Sequence, residues 1–190
     1  MRYAPEHNEE TRERIVAAAS RLFREHGITA VGLAKIMAEA DLTVGTFYTH
    51  FKSKESLLQE TLRRSLRARY EEMEQALREG ELETAIRVYL SPEHRDAPGT
   101  GCPASALASE VARHPRATRQ TFASQIAPSL DALARCLSKR LGKKVGRADA
   151  AALFGLLVGT LQLARATPDH ADSDAILEAG VRAALRFADE

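Results

Sequence analysis

The sequence predicts an all-α protein, and three observations predict it. Apolar residues recur with the helical period: Ile15, Ala18, Ala19, Leu22 and Phe23 fall at i, i+3, i+4, i+7 and i+8 and share one face. Runs that alternate with period two are few, and the β-branched residues are scattered. Breakers are sparse, with 11 Gly and 7 Pro in 190 residues. At ordinary helix lengths this chain holds about nine or ten helices.

The elements follow in order. Asn8 is placed to cap a first helix, with Glu9 and Glu10 favourable in its first turn, and Gly27 ends it. Leu33, Ile36, Met37 and Ala40 give a short second stripe, and Val44, Phe47, Tyr48 and Phe51 a third. Ser53 caps a long fourth helix whose stripe runs Leu58, Leu62, Leu66, Tyr70, Met73 and Leu77. Further helices are expected at about 82–91, 103–113, 115–141, 147–167 and 173–188. Pro128 should kink or split the third of these. Stretch 91–103 reads as a loop, and 142–146 and 167–174 read as turns. The expected division is 1–52, a connecting helix 53–80, and a helical body 81–190.

Composition excludes several classes. Hydrophobic residues make up 44% and charged residues 28%, a globular balance. Two cysteines, Cys102 and Cys136, are too few for a disulfide-stapled scaffold. The opening residues are charged, unlike a signal segment. The longest uncharged run, Ala150 to Ala164, is shorter than the roughly 20 residues of a membrane helix. The expectation is a soluble, cytoplasmic chain without a membrane partner. Net charge is only +1. Residues 1–70 carry 12 Lys and Arg against 9 Asp and Glu, while the rest carry 15 against 17. The positive excess therefore sits in the N-terminal part, the sign that a nucleic-acid surface requires.

Two short helices joined by Asp41–Leu42–Thr43 have the dimensions of a helix-turn-helix. Neither is long enough to stand alone, so both must bury their stripes against the first helix. The other face of the third helix then carries Gly45, Thr46 and Thr49, with His50 near its end. Small and polar side chains let a helix approach base edges in the major groove. Thr43 sits where a cap belongs, so its hydroxyl and the free N–H groups can meet a phosphate. Lys52 and Lys54 flank the next helix start, a second anion site. The alternative at this point is an ordinary three-helix packing unit with a solvated polar face.

The stretch TRERIVAAASRLFREHGITAVGLAKIMAEADLTVGTFYTHFKSKESLL resembles the DNA-binding domain of the tetracycline-repressor (TetR) family. Thr11, Arg12, Phe23, Gly27, Ile36, Ala40, Gly45, Tyr48, His50, Phe51 and Lys54 occupy that pattern. Asp41 stands where the turn usually has Gly, and Asp tolerates a left-handed conformation. Gly32 replaces a frequent capping hydroxyl, and Met37 a small Ala. The resemblance implies that Thr43, Tyr48, Lys54 and His50 contact the DNA backbone. It implies that Val44, Gly45, Thr46 and Thr49 face the groove. Tyr48 is expected to pack its ring inward and direct its hydroxyl to a phosphate.

The body is expected to be a regulatory and dimerisation domain. The segment from Ala148 to Ala166 is apolar nearly all round, with Gly155 and Gly159 spaced four apart. The last helix offers Ala179, Gly180, Ala183 and Ala184 on adjacent faces. These small residues suit a homodimer interface, which would present two recognition helices to a pseudo-palindromic double-stranded DNA operator. Tyr89, Leu107, Phe122, Ile126 and Phe154 are expected to line a small-molecule effector pocket, each with core packing as its alternative. Cys102 precedes Pro103 at a helix start, where a thiol becomes more acidic. The segment GCPASALASEVARHP also resembles a Gly-Cys motif of one branch of the family, in which some members respond to electrophiles or oxidants.

The leading expectation is a transcriptional regulator, read as a repressor, that responds to a small-molecule ligand or to an electrophile. Two alternatives are a cysteine-dependent enzyme, pairing Cys102 with His94 or His114, and a purely structural helical dimer. No nucleophile elbow, phosphate loop or zinc-protease motif supports an enzyme. No cofactor or metal is expected, because no His lies four residues from another His or Cys.

Overall fold

The computed structural model describes residues 5–78 and 82–190. Its described residues form ten helices and no strand. They are α1 (Pro5–His26), α2 (Leu33–Glu39), α3 (Val44–His50), α4 (Lys54–Arg78) and α5 (Leu82–Tyr89), then α6 (Pro92–Asp96), α7 (Pro103–Val111), α8 (Arg116–Leu141), α9 (Arg147–Ala166) and α10 (His170–Asp189). The expected boundary at residues 80 and 81 lies outside the described residues.

Local chemistry accounts for most ends. Gly27 takes φ +83° and stops α1, and Asp41 takes φ +53° in the turn between α2 and α3. Ser53 caps α4 by accepting the N–H of Ser56, whose hydroxyl oxygen accepts the N–H of Ser53, both at 3.1 Å. Gly142 ends α8 in the left-handed region.

Four expectations are corrected. Asn8 lies inside α1, because Pro5 is already compatible with a helix's first turn. The stretch read as a loop contains α6, which Ser91 caps by accepting the N–H of His94 and which has Pro92 in its first turn. The last helix begins at His170, because Asp169 accepts the N–H of Asp172 as its cap. Pro128 does not split α8, which runs unbroken from Arg116 to Leu141.

Two clusters of buried side chains organise the molecule. The first joins α1, α2, α3 and the start of α4, with Phe23, Ile36, Met37, Phe47, Leu57 and Leu58 fully buried. α7 belongs to it through Ala104, Leu107 and Val111. Apolar packing is therefore continuous across residue 52. The second cluster joins α5, α8, α9 and α10. Gly180 lets α10 approach α9, since a Cβ there would lie 2.3 Å from Thr160 Cγ2. By length and composition alone, α9 could cross a membrane. Here it packs between α8 and α10, with Gln162 and Arg165 hydrogen-bonded to Ser105.

Candidate functional site

Helix α3 buries Phe47 and turns its other face outward. Val44 is 43% exposed, and Gly45 and Thr49 are exposed beside it. A Cβ added at Gly45 would meet nothing nearer than Thr43 Oγ1 at 3.8 Å, so the fold itself does not require a glycine there. The Thr43 and Thr46 hydroxyls bond each other at 3.0 Å, and Thr49 donates to the Thr46 carbonyl at 2.7 Å. Thr43 is thus an N-cap in backbone geometry while its hydroxyl bonds no helix N–H.

Tyr48 departs from expectation. Its ring is 64% exposed and rests edge-on against Phe47, with centroids 5.2 Å apart. The space inside is already taken by Phe47, which stacks on Phe51 at 5.7 Å. Most of the Tyr48 ring is therefore available at the surface. Lys52 is exposed, whereas Lys54 turns inward, donating to the Ile28 carbonyl at 2.5 Å above the Phe23 ring. Burial lowers the pKa of Lys54, opposed by Glu110 and Glu55. His50 is half-buried, and burial followed by the nearby Arg12 lowers its pKa. Arg14 donates to the Ala40 carbonyl at 2.6 Å and so ties α1 to the turn that orients α3.

Helix α9 leaves a strip of small and apolar residues uncovered. Leu163 is 63% exposed, and Gly155 and Gly159 have no heavy atom within 4 Å of an added Cβ. Ala179 is exposed and Ala183 half-buried on the neighbouring α10.

A cavity of about 550 Å³ lies between α4, α5, α8 and α9. Tyr89, Cys102, Ile126 and Phe154 line it, as the sequence suggested. Leu107 and Phe122 do not. Leu107 is 3% exposed within the first buried cluster, and Phe122, on α8, packs against the same cluster.

Cys102 is buried at the N-cap of α7. Its backbone N–H donates to His94 Nε2 at 2.9 Å. His94 Nδ1 lies 2.7 Å from the Tyr89 carbonyl, so the neutral ring carries its proton on Nδ1. Burial pushes the His94 pKa down to about 4. A Cβ on Gly101 would lie 2.7 Å from this ring. His114 instead bonds Glu55 at 3.1 Å. Neither imidazole bonds the Cys102 thiol, so the suggested nucleophile pair is not assembled. Cys136 is half-buried against the second cluster, and burial raises its thiol pKa. Among the described residues, no three His, Cys, Asp or Glu converge as a metal site.

Three features escaped sequence reasoning. The Tyr89 hydroxyl is buried without a hydrogen-bond partner, close to Cys102 and Ser105. Arg165 donates to the His94 and Arg95 carbonyls at 2.7 and 3.0 Å, and burial lowers its pKa. The local signal for Arg165 was a single charge ending a long apolar run. Glu110, near the other end of α7 from Cys102, accepts the N–H groups of Ile28 and Thr29, each at 3.0 Å. No local signal marks Glu110, because its partners lie over eighty positions away.

Comparison with known proteins agrees with this geometry. Residues 15–61 match the family described as bacterial regulatory proteins, tetR family. The HTH-type transcriptional repressor NemR of Escherichia coli is 32% identical over 72 residues, covering 38% of this chain and 36% of NemR. The transcriptional regulator YerO of Bacillus subtilis is 45% identical over 49 residues, covering 26% of this chain and 17% of YerO. The aligned stretches thus span well under half the length of these relatives. The reduced form of E. coli NemR superposes with a TM-score of 0.76 at 21% identity, covering 93% of this chain and 96% of NemR. SCO4454, a TetR-family regulator of Streptomyces coelicolor, superposes with a TM-score of 0.73 at 26% identity, covering 96% of this chain and 97% of SCO4454. Residues 15–61 thus match the tetR family of bacterial regulatory proteins, and the helical body behind them shares the fold of these solved regulators.

Proposed function

We propose that the chain is a cytoplasmic, sequence-specific transcriptional repressor that binds a palindromic operator as a homodimer. Release would follow when a small molecule or an electrophile acts on the C-terminal cavity. The observation that carries this reading is α3. Its outward face presents Val44, Gly45, Thr49 and Tyr48, and Gly45 is a glycine that intramolecular packing does not demand. An exposed helical glycine costs about 0.5–1 kcal/mol relative to Ala, a cost that close approach to a base edge would justify. The apolar strip on α9 and α10 supports the dimer. Two-fold pairing there would present two recognition helices to half-sites about 34–36 Å apart or a multiple of it.

Effector action is a linkage. The effector must favour the DNA-incompetent arrangement by as much free energy as it removes from operator binding. α4 and α7 both run from the cavity to the DNA-binding part.

The test is selection of bound duplexes from a random library, repeated after treatment with a thiol-reactive electrophile. A recovered palindrome is the expected result, and no enriched sequence in either sample would sink the reading. Loss of binding on treatment in the wild type but not in Cys102→Ser assigns the switch to the thiol. A palindrome indifferent to treatment assigns it to reversible binding in the cavity.

A further inference from the structure

The cavity has two unlike ends. Along α4 its lining runs from Leu66 to Leu77, a distance of about 16 Å at about 1.5 Å per residue. Leu77 belongs with the all-apolar second cluster, whereas Leu66 shares the first cluster with Cys102. Among the described residues, Leu77, Leu82, Leu133 and Leu153 give the lining at the Leu77 end an apolar wall.

The Cys102 end is polar and electropositive. Arg69 lines it, and Arg24 and Arg165 stand close enough to perturb the groups there. Arg24 donates to the Gly99 carbonyl, and Arg165 to two carbonyls and the Ser105 hydroxyl. Neither guanidinium forms a direct ion pair among the described residues, and burial lowers the pKa of both. The lining carboxylates, Glu72 and Glu93, are exposed, and Glu72 is bonded to Arg69. His94 adds no charge near neutral pH. The Tyr89 hydroxyl is at this end, buried and unpartnered. A buried donor left unpaired costs about 1–3 kcal/mol, which a ligand oxygen would offset.

We infer that the cavity binds a single-tailed anionic amphiphile, a linear alkyl carboxylate whose head lies at the Tyr89–Cys102 end and whose tail runs along α4 toward Leu77. This rests on the reading of the cavity as the effector site. The carboxylate meets Arg69, which it shares with the exposed Glu72, backed by Arg24 and Arg165, which form no direct ion pair among the described residues, in a place where a charge partner counts for most. The tail replaces water along an apolar wall.

The test is calorimetric titration of the full chain, without DNA, with dodecanoate, dodecanol and dodecylammonium below their micelle concentrations. Dodecanoate should bind about tenfold or more tightly than dodecanol, a difference of about 1.4 kcal/mol, and dodecylammonium should bind least. Arg69→Gln should remove most of the gap between dodecanoate and dodecanol. Tyr89→Phe should weaken dodecanoate without lowering the melting temperature. Ala76→Leu should move the best chain length from dodecanoate to a shorter carboxylate. Equal affinity for the three heads, or no binding of any, overturns the inference. So does an Ala76→Leu protein with unchanged chain-length preference. Dodecanoate binding in a protein that selects no operator supports this inference and overturns the repressor reading. Operator binding in a protein that takes no dodecanoate does the reverse.

Discussion

The carboxylate of Glu110 accepts the backbone N–H of Ile28 at 3.0 Å, across 82 positions of sequence. It also takes the N–H and the hydroxyl of Thr29, at 3.0 and 3.1 Å. Burial alone would raise the pKa of Glu110, but the donors of Thr29 and Ile28 hold it below the usual value. The loop that leads from α1 into α2 is thus fastened by α7, whose other end lines the cavity.

Glu110→Ala should loosen that loop without unfolding the helical body. Two N–H groups lose their acceptor, and the expected loss is about 1–3 kcal/mol. Amide exchange of Ile28 and Thr29 should accelerate selectively, with weaker operator binding. Exchange unchanged at those two amides would remove α7 as a fastening.

Gly45→Ala should separate stability from recognition. The new methyl group has open space, so the fold should gain about 0.5–1 kcal/mol. Operator affinity should fall, because the methyl group occupies the surface that meets the groove. Melting temperature and operator affinity rising together would show that α3 does not approach bases through Gly45.

His94 should make stability depend on pH. Its folded pKa is about 4 against an ordinary 6.5, so the unfolded chain takes up the proton more readily. The contribution is complete above about 6.5 and is lost as pH falls toward 4. We expect a loss of about 1–2 kcal/mol over that window once solvent screening is allowed for. His94→Gln should flatten the urea-midpoint profile between those pH values. An identical profile in both proteins would show that another group carries the dependence.

Leu163→Glu should break the dimer and spare the protomer. The side chain projects from the uncovered strip of α9, so a charge there faces water in the isolated chain. Sedimentation should report a monomer with unchanged helical circular dichroism and weakened operator binding. A dimer of wild-type affinity would place the interface elsewhere.

Much of this architecture was legible because helical period, caps and breakers act locally. Ser53, Gly27 and Asp41 each set a helix end or turn through their own backbone preferences. The misreadings have the same origin. Asn8 is a good cap, yet Pro5 already suits a first turn. Stretch 91–103 is rich in breakers, yet Ser91 and Pro92 are also a cap and a first helical residue. Tyr48 lies on the apolar stripe, but Phe47 and Phe51 fill the space behind it. Leu107 and Phe122 have the right chemistry for a cavity, and only the packing of α7 and α8 decided their side. Glu110, Arg24 and Arg165 act on distant backbone carbonyls and amides, where a sequence motif has nothing to mark.

Leu107 and Val111, which lie far along the chain, are buried in the same cluster as Phe23, Phe47 and Leu58. The recognition unit is therefore not a cassette. A chimera that transplants residues 1–52 alone onto another regulator would leave behind α4 and α7, which complete that cluster and fasten the α1–α2 loop. A working graft should need the opening turns of α4 together with α7, or a recipient helix that reproduces Leu107, Glu110 and Val111. Repainting the outer face of α3 should change operator preference with less damage to this packing than swapping the module that bears it.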